Sequence, residues 1–140
     1  SMALNTILDA GTVHGCACHM MEHELSAYYD ITHGHGLAIL TPRWLAYILN
    51  ENTAPAIYRL GVKVFDVAGD LDVLEGAKQT IDAVSHFCFH TLGLKSSLTE
   101  LQINDAHFND MAEHACMGGG ITGPMELHPE DVRKIYEMCL

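Results

Sequence analysis

The chain has 140 residues, with 18 acidic against 7 basic side chains and a formal charge of −11 when the histidines are neutral. That length suits one compact core, and 49% apolar against 18% charged residues argues against disorder. The acidic balance repels phosphate, so neither nucleic acid nor an anionic membrane is expected as a partner, and no apolar run reaches the ~18 residues of a membrane span.

The first predicted helix runs from about Val13 to Tyr29. The turn residues Asp9, Gly11 and Thr12 open it, and Asp30 to Thr32 close it. A second helix covers roughly 34–49, with Pro42 inside it predicting a kink or a break. A third runs from Ala54 to Val67 behind Thr53 as cap, with Ile57, Leu60, Gly61 and Val64 on one face. Gly61 there predicts close approach to another helix.

A longer helix is expected over 71–92, with Leu74, Ala77, Ile81, Val84 and Cys88 as its stripe, Asp70 as cap and Gly93 as stop. The next stripe is Phe108, Met111, Ala112 and Ala115, capped by Asn104 and ended by Gly118 to Gly120. The last helix starts at Pro129, a favoured first-turn residue, and buries Val132, Ile135, Tyr136 and Cys139. Alternating strand patterns and hairpin turns are weak. The sum is an all-α domain of about six helices with short loops.

Five cysteines (Cys16, Cys18, Cys88, Cys116 and Cys139) form no framework spacing. Free thiols in a reducing, cytoplasmic setting fit better than disulfides, and no secretory leader is expected. Of ten histidines, five fall between positions 14 and 35.

His19-Met-Met-Glu-His23 sets two imidazoles four apart, one turn apart on a shared helix face. Helices present paired metal ligands this way, or one ligand and one proton carrier; a solvated or capping pair fits the spacing equally. His33 follows ten residues after His23, at the junction of two helices, where a turn would bring it back beside His19 on one concave, solvent-open surface. The pentapeptide also matches the H-x-x-E-H zinc-peptidase pattern, with Glu22 as the base. That reading lacks a distant carboxylate ligand and a strand edge for substrate. His14, Cys16, Cys18 and His19 lie too close in sequence to aim at one ion. His86 and His90 are read as surface or interface residues, and His107, His114 and His128 carry no pattern.

The string His19-Met-Met-Glu-His-Glu-Leu-Ser-Ala-Tyr-Tyr-Asp-Ile-Thr-His33-Gly, followed by Gly36-Leu-Ala-Ile-Leu-Thr-Pro42-Arg-Trp44, resembles the iron-dependent (group III) alcohol dehydrogenases. The likeness is strongest to their butanol-dehydrogenase-like branch, and the tail Pro129-Glu-Asp-Val-Arg-Lys-Ile-Tyr-Glu-Met-Cys-Leu140 shares it.

The resemblance implies that residues 1–140 are the C-terminal, all-helical, dehydroquinate-synthase-like domain of such an enzyme. It puts metal ligation on His19 and His33, and places His23 beside the nicotinamide as a catalytic residue. The metal would be Fe2+ or Zn2+, with two further ligands, an Asp and a His, supplied from an earlier stretch. NAD(P) would be held mainly by a dinucleotide-binding domain that these residues do not contain. The implied substrate is a small alcohol or aldehyde, converted by hydride transfer. The isolated chain is then expected to be inactive, and its exposed face to meet the missing N-terminal domain or a second copy. The competing expectation is a stand-alone helical metal-binding or interaction module.

Overall fold

The computed structural model describes residues 16–140, which form six α-helices and no strand. They are α1 (Ala17–Tyr29), α2 (His33–Tyr47), α3 (Ala54–Val64), α4 (Val73–His86), α5 (Phe108–Cys116) and α6 (Pro129–Glu137). A π-turn at Phe87–Thr91 extends α4, and 3-10 turns occupy Thr99–Leu101 and Asp105–His107. Pairing of the strand type is confined, among the described residues, to an isolated antiparallel bridge between Ile121 and Leu127. The all-α expectation therefore holds. The opening turn expected at Asp9 to Thr12, and the first helix's residues before Cys16, lie outside the described residues.

Apolar periodicity builds the larger core. Met21 and Leu25 of α1 meet Ile39 and Leu40 of α2, Phe108 and Met111 of α5, and Val132, Ile135 and Tyr136 of α6. The Phe108 and Tyr136 rings lie 5.3 Å apart, within the range of favourable aromatic pairs. The Tyr136 hydroxyl donates to the Met21 carbonyl at 2.7 Å, tying α6 to the middle of α1. Both stripes predicted for α5 and α6 are buried in full.

A smaller core joins α3 to α4 through Leu45, Ala54, Ile57, Tyr58, Ala77 and Val84, and Trp44 packs against both cores. Gly61 makes the close approach expected of it: a β-carbon there would lie 1.9 Å from Thr80 Oγ1.

Several local expectations are corrected. The buried face of α3 is Ala54, Ile57, Tyr58 and Gly61, whereas Leu60 and Val64 are exposed. Thr53 caps no helix amide; its hydroxyl donates to the Ile48 carbonyl at 2.7 Å and accepts from the Asn50 amide at 2.9 Å. The cap of α4 is Asp72 rather than Asp70, accepting from the Leu74 and Glu75 amides. The Tyr58 hydroxyl decides this, because it bonds the Ala68 carbonyl and the Leu71 amide and holds that segment outside the helix.

Pro42 does not break α2. Hydroxyl and guanidinium donors from Thr41 and Arg43 reach the Leu37 and Ile39 carbonyls on either side of the interrupted bond. After α5 both Met117, at φ 50°, and Gly118, at φ 75°, turn left-handed, so the stop expected at the glycines begins one position earlier. Asn104 behaves as expected, accepting from the Ala106 amide at the 3-10 turn that leads into α5.

Candidate metal centre

On α1, positions 19, 22, 23 and 26 form one stripe at helical spacing. Met21 and Leu25 point into the core, so the stripe is turned toward the beginning of α2. Asp30 ends α1 in the left-handed conformation at φ 51°, its amide bonded to the Ser26 carbonyl. Only Ile31 and Thr32 separate it from α2, which opens on His33. The Thr32 carbonyl receives the His35 and Gly36 amides at 2.8 and 3.1 Å, which fixes the first turn.

This turn brings the three predicted site histidines together. Ring centroids are 5.2 Å apart for His19 and His33, 5.5 Å for His23 and His33, and 6.2 Å for His19 and His23. All three residues are exposed, so they form a wall open to solvent. The larger grooves lie elsewhere, about 450 Å³ beside Asn109 and Arg133 and about 360 Å³ beside Trp44 and Ile57.

Behind the wall sits Glu22, with no exposed surface. One carboxylate oxygen accepts from the Ser26 hydroxyl at 2.5 Å, and the other is in hydrogen-bond contact with His33 Nδ1. A β-carbon on Gly36 would lie 2.7 Å from both Cγ and Oε1 of Glu22, so the glycine makes room for the carboxylate. Glu22, His23 and His33 each offer one ligand atom within 4.8 Å of the others.

These contacts overturn the peptidase reading of the pentapeptide. A base that activates water must reach water, and Glu22 is sealed and already hydrogen-bonded through both oxygens. The role it does fill is absent from the expectations above. Its signal in sequence is that it shares a stripe with His19, His23 and Ser26.

Four of the other described histidines fall in two places, while His35 lies against the Lys95 carbonyl and His128 stands at the start of α6. His107 and His114 gather around Tyr28 on the α1–α5 side, and His114 Nδ1 lies 3.4 Å from Glu24. His86 and His90 stack at 4.9 Å on the far side of α4. Cys18, Cys88, Cys116 and Cys139 are free thiols. Burial pushes the Cys18 thiol up to about 11, against a small opposite effect of the Thr41 hydroxyl. It pushes Cys139 to about 12.

Comparison with known proteins agrees with this architecture. Residues 3–140 match the C-terminal part of the Fe-containing alcohol dehydrogenase family. The chain belongs to that family. It is 41% identical over 139 residues to NADH-dependent butanol dehydrogenase A of Clostridium acetobutylicum, covering 98% of this chain and 36% of that protein. It is 39% identical to the probable NADH-dependent butanol dehydrogenase 1 of Bacillus subtilis, again over 36% of the relative's length. Among solved structures, the NADH-dependent butanol dehydrogenase A of Thermotoga maritima superposes with a TM-score of 0.81 at 30% identity, covering 99% of this chain and 36% of that one. The chain thus spans about a third of the length of the relatives it matches. Among the described residues, no helix is long and apolar enough to cross a membrane.

Proposed function

We propose that this chain is the metal-side domain of an NAD(P)-linked alcohol dehydrogenase that oxidises a primary alcohol or reduces an aldehyde by hydride transfer. The observation that carries the reading is the convergence of His19, His23 and His33, with ring centroids 5.2–6.2 Å apart, on one exposed wall. In this reading His19 and His33 are metal ligands, and His23 lies beside the reacting atoms.

The donor chemistry fits a divalent first-row ion. Imidazole suits Fe2+ and Zn2+, and a catalytic site takes at least three protein ligands with an open position. Two imidazoles fall short of that number, so the reading assigns the remaining ligands to residues outside these 140. The bound ion would supply Lewis-acid polarisation of the alcohol oxygen.

The chain's own residues have separate tasks. His33 and His19 hold the ligand geometry from two different helices. His23, one turn along α1 from His19, is placed to position the nicotinamide or to accept the hydroxyl proton. The dinucleotide itself is assigned to a domain outside these residues, which would dock on the histidine wall; a second copy of the chain is the other candidate for that face. The free thiols of Cys18, Cys88, Cys116 and Cys139 support a reducing, cytoplasmic setting.

The test is zinc titration of the 140-residue chain and its single histidine variants, paired with alcohol oxidation by the full-length protein. Affinity should fall at least tenfold for His19→Ala and His33→Ala and change little for His23→Ala, whereas all three should lose turnover. Loss of zinc binding in His23→Ala with none in His19→Ala would move the ligand role to the set Glu22, His23 and His33. Zinc binding with no turnover by the full-length protein would favour a helical metal-binding module instead.

A further inference from the structure

We propose that Glu22 is a positioning residue: its buried carboxylate holds the His33 ring in the tautomer with hydrogen on Nδ1, so that Nε2 presents its lone pair to the wall. Relevance to metal binding rests on the reading of His33 given above, but the tautomer itself does not.

The argument begins with hydrogen-bond capacity. A carboxylate only accepts, and a neutral imidazole has one donor and one acceptor nitrogen. With Glu22 ionised and the ring neutral, the contact between His33 Nδ1 and Glu22 Oε2 makes Nδ1 the donor and leaves Nε2 as the acceptor. The other oxygen is taken by the Ser26 hydroxyl at 2.5 Å. Glu22 is fully buried, whereas the His33 side chain is 45% exposed. The carboxylate therefore sits on the protein side of the ring.

The surroundings are built for this carboxylate. Ser26 supplies its donor from the next turn of α1, and Gly36 leaves the space a methyl group would fill. Burying a carboxylate is costly unless it is fully hydrogen-bonded. A latch between α1 and α2 alone needs no charge, since an apolar pair of similar volume would serve. Metal-bound histidines, by contrast, commonly donate their second ring N–H to a carboxylate, which fixes the ring and raises its basicity.

Long-range 15N–1H NMR of the metal-free 140-residue chain, with zinc titration alongside, separates these roles. Wild type should show His33 as the Nδ1–H tautomer. Glu22→Gln keeps an accepting oxygen of similar size and should keep that tautomer, while zinc affinity drops several-fold. Glu22→Ala should shift His33 toward the Nε2–H form common in water and weaken zinc ~10–100-fold.

An Nε2–H ring in wild type, or an unchanged tautomer in a folded Glu22→Ala, would overturn the proposal. So would loss of zinc in Glu22→Gln as complete as in His33→Ala, because that marks Glu22 as a direct ligand. If Glu22→Ala does not fold, wild type and Glu22→Gln still decide. The expected tautomers with no zinc binding at His33 would support the positioning and sink the metal reading.

Discussion

Gly36 and Glu22 share one volume: a β-carbon on the first would stand 2.7 Å from two atoms of the second. Gly36 is itself buried in the first turn of α2, so the conflict cannot be relieved toward solvent. Gly36→Ala should therefore destabilise the fold by about 1–3 kcal/mol, the usual range for overpacking, and weaken zinc binding by displacing the carboxylate. Gly34→Ala is the control. Nothing lies within 4 Å of its β-carbon, and it should be neutral or gain up to ~1 kcal/mol from helix propensity. Thermal melts of both variants check this, and equal melting temperatures would show that the packing argument is wrong.

Gly61 and Thr80 make the corresponding contact between α3 and α4. Thr80 is fully buried and its hydroxyl bonds the Gly76 carbonyl at 2.7 Å, so it has little freedom to retreat. Gly61→Ala should cost about 1–3 kcal/mol. In the double variant with Thr80→Ala the added cost of Gly61→Ala should shrink, because the clashing oxygen is gone. A double-mutant cycle reads the coupling directly, and strict additivity is the adverse result.

The buried thiols set an alkaline limit on stability. Cys18 and Cys139 are raised to about 11 and about 12 by burial, against ~8.5 for an exposed thiol. The folded state keeps the proton where the unfolded chain loses it. Their contribution is complete below pH ~8.5 and is lost as pH rises toward the folded values, at about 1.4 kcal/mol per thiol for each unit above ~9. Denaturant melts at pH 8, 9 and 10 should show stability falling with pH, and Cys18→Ala should make that slope shallower. An unchanged slope in Cys18→Ala would falsify the assignment.

The 140-residue chain alone, supplied with Fe2+ or Zn2+, should reduce neither NAD nor NADP when given a primary alcohol. Hydride transfer needs the nicotinamide held against the carbinol carbon, and among the described residues no glycine-rich phosphate-binding motif follows a strand. Steady formation of reduced cofactor by pure protein, abolished in His33→Ala, is the result that would reverse this.

Periodicity made much of the fold readable. The stripes at 108, 111, 112 and 115 and at 132, 135, 136 and 139 are fully buried, because short amphipathic helices must bury their one apolar face. Features settled by distant contacts were not readable. Asp72 rather than Asp70 caps α4 because the Tyr58 hydroxyl, 13 residues before Leu71, holds the intervening chain. The face of α3 takes in Tyr58 in place of Leu60 and Val64 because the Tyr58 ring packs against Gly76 of α4. At the site, the spacing of His19, His23 and His33 foretold their meeting. The burial of Glu22 could not be foretold, since it depends on a missing β-carbon in the following helix.

The bond from the Tyr136 hydroxyl to the Met21 carbonyl spans 115 residues of sequence. A ribosome adding 5–20 residues per second needs on the order of 6–23 s to cover that interval. For that time α1 is already synthesised, yet the helix that supports its back does not exist. Until Tyr136 is made, the Met21 carbonyl, next to Glu22 in α1, lacks the bond that ties α1 to α6.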